Sequence, residues 1–274
     1  VAKIIPKIIS EGSIESIEFI NCDWEEMKPP TARQVCSILY GAKTLGFKAI
    51  LCERGTEEKA FGLVTVFPCA RKGPEVAITI QEILPWENLM EGVIIGQLDG
   101  EDGPETFGQG ATIGFFDTDF SRNYWRYRAG ERLLFSLAGL VINFEKVENL
   151  TFAISDQDSL KRKYDLLGEE PELDPDGRIK PDIYNMDGMK ALMSGSDKYP
   201  EDCSFHMKIS RMEVFELEGI PVFEVFGPLF PTGPVEEGVL YIPRPVLPEG
   251  TALRVGDNIR GIAWFHGFMT HCET

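Results

Sequence analysis

From Glu75 to the end of the chain, apolar residues come in short runs of strand length. Clusters of glycine, proline, aspartate and asparagine separate them. The first set reads EVAITIQEIL, GVIIGQL, ATIGFF and RLLFSLAGLVINF; the second reads SFHMKISRMEVFELEG, IPVFEVFGPLF, GVLYIP and ALRVGDNIRGIAWFHGFM. Alternating, β-branched and aromatic runs bounded by turn residues specify strands, and many of them in series specify a sandwich or barrel. The expected class is therefore mainly β (a β-rich α+β chain), built of two related small antiparallel barrels or curled sheets. An N-terminal strand-helix elaboration and an acidic linker complete it. The expected boundaries are 1–155, 156–202 and 203–274.

The two sets resemble each other. EGVIIGQL at Glu91 is matched by EGIPVFEVFGPL at Glu218, GFFDTDF at Gly114 by LYIPRPV at Leu240, and YRAGERLLFSLAGL at Tyr127 by LRVGDNIRGIAWFHGF at Leu253. The separation stays near one value, which suggests an internal duplication. In the shared pattern the glycine (Gly130, Gly256) is placed to supply a positive φ in a turn that feeds a strand.

Before the first set, SIESIEFINCDW reads as a strand, and FKAILCE and AFGLVTVFPCA read as two more, around a turn over Glu53–Lys59. Between them, Thr31 is an N-cap candidate for TARQVCSILYGAKTL. Val35, Ile38, Leu39, Ala42 and Leu45 fall at helical spacing, and Gly46 stands where a helix would end. The spacing predicts a helix there. DSLKRKYDLL, followed by Gly168, predicts another. The polar stretch GEEPELDPDGRIKPDIYNMDG reads as a linker or long loop, with a short helix at MDGMKALM.

The formal net charge of −17 repels phosphate backbones, and the basic runs are short, so nucleic-acid binding is not expected. No apolar run reaches the length of a membrane span. The cysteines (Cys22, Cys36, Cys52, Cys69, Cys203, Cys272) form no C-x-x-C pair and suggest a reduced, cytoplasmic chain. Cys36 and Cys52 read as small core residues. The N-terminal segment lacks the pattern of a secretory leader.

Candidate chemistry is sparse. Asp117 and Asp119, two apart, would share one strand face and can hold a metal or move protons. With His206 or His266 they make the candidate catalytic set, and Arg122, Arg126 and Arg128 are near enough in sequence to neutralise them. Tyr124, Trp125, Arg126 and Tyr127 form a candidate aromatic platform for a sugar or other small molecule. ELDPDGRIKPDI places Asp174, Asp176 and Gly177 as in a calcium loop, but Ile183 stands where the closing carboxylate belongs. A terminal set of His266, His271 and Cys272 is a weaker metal candidate. No motif for a nucleotide or other cofactor is present, and none is expected. The first reading is a non-catalytic binding or assembly protein, whose sheet edges accept a protein partner or a second copy. The alternatives are a metal-dependent hydrolase on Asp117 and Asp119, or a sugar-like small-molecule binder on Tyr124–Tyr127.

Overall fold

The computed structural model describes residues 5–23, 28–54, 60–88, 90–98, 111–148, 151–230, 235 and 237–271. Strands take 58% of the chain and helices 12%, so the mainly β class holds. The chain opens with α1 (Ile5–Glu11), followed by β1 (Ser13–Asp23), β2 (Lys28–Gly41), β3 (Leu45–Arg54) and β4 (Ala60–Ala70). These four strands form one antiparallel sheet in sequence order.

The helix expected over Thr31–Leu45 is instead β2 and the start of β3. The cause is burial on both faces. Val35 and Leu39 pack with Ile50 and Cys52 in the main core. Cys36 and Ile38 pack with Ile8 of α1 and Ala49 on the opposite side. A strand buried on both faces shows a continuous apolar run, which helical spacing fits equally well. The glycine that matters is Gly41, at φ +122° in the β2–β3 turn, rather than Gly46. Cys36 and Cys52 are buried, as expected of core residues. The residues of the 55–59 turn lie outside those described.

Next come β5 (Glu75–Pro85), β6 (Gly92–Leu98), β7 (Thr112–Asp117), α2 (Phe120–Asn123), a 3-10 turn at Tyr124–Arg126 and β8 (Arg132–Val147). They are followed by β9 (Thr151–Ile154), α3 (Gln157–Leu167), β10 (Asp182–Asn185), β11 (Ala191–Met193) and β12 (Asp202–Lys208). The last elements are β13 (Arg211–Leu217), β14 (Ile220–Pro228), β15 (Glu237–Pro243), a 3-10 turn at Arg244–Val246 and β16 (Asn258–His271). Pairing runs β5-β6-β7-β16-β8 and returns to β5, a ring of five strands. Farther along the edge that takes β7, β16 also pairs with β12, and farther along the edge that takes β5, β8 pairs with β15, which continues into β14 and β13. The two long strands β8 and β16 thus belong both to the ring and to the strands that extend from it.

Gly139 and Phe265 face each other near the middle of the β8–β16 pair. A Cβ on Gly139 would come within 2.6 Å of Leu240, so this crossing needs the missing side chain.

The acidic stretch folds back on the body. Asp156 caps α3 by accepting from Ser159 N at 2.9 Å, and Gly168 ends it in the left-handed region. β10 pairs with β9. The short helix expected at MDGMKALM is a turn followed by β11, which pairs with β12. No helix among the described residues is long and apolar enough to cross a membrane.

Candidate functional site

The four-stranded sheet packs on the outer wall of the ring. Phe67 of β4 meets Phe116 of β7 edge-on at 4.8 Å, and Trp86 and Trp264 lie 5.3 and 5.0 Å from the same ring. Each such pair adds about 0.5–1.5 kcal/mol beyond its buried area. Beside this apolar seam lies a polar cluster that holds both candidate aspartates.

Asp117 is the last residue of β7 and is 1% exposed. Its Oδ2 accepts from the Tyr127 hydroxyl at 2.6 Å and its Oδ1 from Asp119 N at 2.9 Å. Burial, aided by the Asp119 charge, pushes the Asp117 carboxyl up to about 7, against the pull of these two hydrogen bonds. Tyr127 is held well above its usual range, chiefly by burial and then by Asp117.

Asp119 does not share a strand face with Asp117. The chain turns after β7, and Asp119 stands at the start of α2, its carbonyl accepting from Arg122 N and Asn123 N. Its carboxylate pairs with Lys48 of β3, and Glu15 of β1 reaches the same ammonium at 2.8 Å. Lys48 is 3% exposed. Burial lowers its pKa, but the neighbouring negative groups, led by Asp119, outweigh that and raise it, so it stays charged. Cys69, also in this cluster, is pushed up to about 11 by burial and is a poor nucleophile at neutral pH.

The expected neutralisers, Arg122, Arg126 and Arg128, are not what pairs with Asp119. Arg126 lies over the Trp125 ring at 4.8 Å, and Arg128 donates to the carbonyls of Trp125 and Tyr127. The partner is Lys48, 71 residues earlier. Its signal was the lysine inside the apolar run FKAILC, a position that demands a counter-charge. Glu224 in IPVFEVFG is a parallel case. It is buried and accepts from the Tyr241 hydroxyl at 3.2 Å.

The two histidines do not converge. His266 is 1% exposed; its Nδ1 accepts from Ala70 N at 3.3 Å and burial lowers its pKa to about 3. Its Nε2 has no hydrogen-bond partner among the described residues, and the ring packs perpendicular to Trp264 at 4.2 Å between centroids. His206 pairs with Arg260, six residues along β16 from His266, or about 20 Å at strand spacing. Burial, then Arg260, lowers its pKa.

In the aromatic segment, Tyr124 and Tyr127 are buried, stacked on Phe120 and tilted against Phe135 respectively. Trp125, at 48% exposed, and Arg126 are the members that face solvent. The calcium-like loop is a closed turn. Asp174 Oδ1 accepts from the backbone N–H of Asp176 and of Arg178, both at 2.9 Å, and Gly177 takes a φ of +79°. Among the described residues no three His, Cys, Asp or Glu side chains are grouped to hold a metal. Cys272, of the terminal candidate set, lies outside those described.

A second feature, not foreseen from the sequence, is an open cleft of about 440 Å³ between the four-stranded sheet and the tip of the β13–β14 hairpin. Glu11, Tyr40, Arg71, Glu216 and Glu218 line it. Glu218 has a φ of +53°, rare for a residue with a side chain, and Gly219 follows at +77°. The Glu218 carboxylate accepts from Lys7 Nζ and from the Tyr40 hydroxyl, both at 2.5 Å. These contacts tie the hairpin to α1 and β2. Compared with known proteins, the chain matches no family model, no curated sequence and no solved structure.

Proposed function

We propose that this chain is a non-catalytic binding or assembly protein that engages its partner through a sheet edge. The observation that carries the reading is β13, an end strand of the ten-stranded sheet with β14 on one side. Leu217 pairs with Ile220 around the two-residue Glu218–Gly219 turn. Hairpin geometry then turns the N–H and C=O of Leu217, Phe215 and Glu213 toward β14 and those of Glu216, Val214 and Met212 outward. Among the described residues, no other segment's backbone bonds to these three. A row of unmet donors and acceptors is a template for an added strand. The candidate acid-base groups support the same reading from the other side, since Asp117, Lys48 and His266 are buried and engaged inside the fold.

Two measurements test it. Amide hydrogen exchange on the free protein is expected to be fast at Met212, Val214 and Glu216 and slow at Glu213, Phe215 and Leu217. Uniform protection along β13 would mean that the edge is already covered. A panel of ester, phosphoester and glycoside substrates with divalent metals is expected to show no turnover that Asp119→Asn removes. Turnover lost in that variant would replace this reading with the hydrolase.

A further inference from the structure

The β13 edge and the acidic cleft are one continuous feature. Glu216 and Leu217 end β13, Glu218 follows in the turn, and all three form a wall of the cleft. A strand laid along β13 would therefore run its end into that space. We infer that this edge takes up an extended, lysine- or arginine-bearing peptide segment as an added strand, with a basic side chain seated in the cleft. This rests on the binding reading above and adds the chemistry of the partner.

The edge is built to be used. Natural edge strands are commonly blunted by lysine, proline or a bulge. Arg211–Leu217 contains neither lysine nor proline, its pairing with β14 is unbroken, and its charges are the Arg211–Glu213 pair and Glu216. Val214, at 56% exposed, offers apolar contact midway along it. The three outward-facing residues lie about 7 Å apart, which a segment of some seven residues spans with bonds at every second position.

Charge selects the occupant. The local cations are largely spent: Lys7 on Glu218, and Arg211 on Glu213 and Glu237. Glu11 and Glu216 remain in the cleft wall with Arg71. The net charge of −17 adds a long-range field that concentrates cations there. A second copy would bring the same charge and the same glutamates, so self-pairing is opposed at low salt. A cleft of this volume is in the range that accepts a long side chain.

The test uses the full chain and fluorescein-labelled nonapeptides alternating valine with lysine, glutamine or glutamate, followed by anisotropy at low salt. The lysine peptide is expected to bind about tenfold or more tighter than the glutamine one, with the gap closing as salt rises. N-methylation of every second peptide amide should abolish binding in one phase and have little effect in the other, because only one set faces β13. Glu11→Lys with Glu216→Lys should erase the preference for lysine. Val214→Pro, which removes an outward N–H and leaves the β14 bonds intact, should weaken every peptide. The methylated peptides carry the same information without altering the protein.

Equal binding of lysine and glutamine peptides, with the N-methylation pattern kept, would overturn the basic partner and leave the edge reading standing. Binding indifferent to N-methylation would overturn strand addition. No binding by any peptide up to about 1 mM, with a dimer that Val214→Pro dissociates, would make the occupant a second copy. No binding and no dimer would remove both this inference and the edge reading beneath it.

Discussion

The chain turns at the end of β7 and at the end of β15, and the surroundings of the two turns correspond closely. β7 pairs in parallel with β16, Phe116 opposite His266, and β15 pairs in parallel with β8, Tyr241 opposite Leu140. A 3-10 turn follows each strand, at Tyr124–Arg126 and at Arg244–Val246. Each region then reaches a glycine that donates to an isoleucine carbonyl, Gly130 to Ile80 and Gly256 to Ile209. In each the isoleucine N–H returns a bond to the next residue, Glu131 or Asp257. Two things differ: α2 stands between β7 and its 3-10 turn and has no counterpart after β15, and the side chains at the strand end are unlike. After β7 they are Asp117 and Asp119, drawn into the buried cluster around Lys48. After β15 the chain reads Pro243-Arg244-Pro245, and Arg244 donates to the Leu247 carbonyl at 3.4 Å. The difference follows what packs outside. β3 and β4 cover the first turn and bring Lys48, Cys69 and Phe67. On this comparison the two carboxylates are a device for docking the N-terminal sheet.

The comparison breaks most visibly at Lys48. Lys48→Met leaves the partly buried Asp119 without its counter-charge, and removing one partner of a fully buried pair costs about 3–5 kcal/mol, which is the ceiling for this change. The companion change in the other region, Arg244→Met, loses one long hydrogen bond and should cost under about 1 kcal/mol. Urea unfolding of both variants measures the contrast. Equal costs would mean that the first turn is no more a docking point than the second.

Asp117 gives the next effect, through pH. Its folded pKa of about 7 lies above the ~3.9 of an unfolded aspartate. The folded state therefore holds the proton more tightly. The stability this supplies is complete below about pH 4 and is lost as pH rises through 7. Asp117→Asn keeps an acceptor for Tyr127 and cannot ionise. The difference in stability between wild type and this variant should therefore change by up to about 4 kcal/mol between pH 4 and pH 8, with wild type losing ground as pH rises. Parallel profiles for the two proteins would show that Asp117 ionises normally in the fold.

Legibility in the sequence divided along physical lines. β5 alternates and could be read directly, and β6 to β8, though apolar almost throughout, are runs bounded by glycine, aspartate and proline clusters with no competing helical spacing. β2 could not, because Val35 and Cys36 enter different cores on opposite faces and period is then lost. The site was half legible. Asp117 and Asp119 stood out as carboxylates among aromatics, but the fold turns between them, and their cation comes from a strand 71 residues away. Tyr124 and Tyr127 looked like a platform because composition does not distinguish an aromatic that faces out from one that faces the core. The cleft was not legible at all, since it forms between residues as far apart in the chain as Glu11 and Glu216.

The smallest effect is the sharpest test of the correspondence itself. Gly130 and Gly256 have φ values of +87° and +93°, and a Cβ on either would meet nothing within 4 Å. Alanine at each position therefore costs backbone strain alone, about 1–2 kcal/mol, with no steric term to confuse the comparison. If the two turns do the same job in the same surroundings, Gly130→Ala and Gly256→Ala should lose stability equally within about 0.5 kcal/mol. They are distant in sequence and lie in separate turns, so the double variant should lose the sum. A large inequality would mean that one turn relaxes where the other is held. The place to look for the restraint would be the first region, where Tyr127, three residues before Gly130, is bonded to Asp117. Repeating Gly130→Ala in the Lys48→Met background then separates the two causes. A cost that falls when the cluster is broken belongs to the clamp on Asp117 and Asp119, and a cost that stays belongs to the turn.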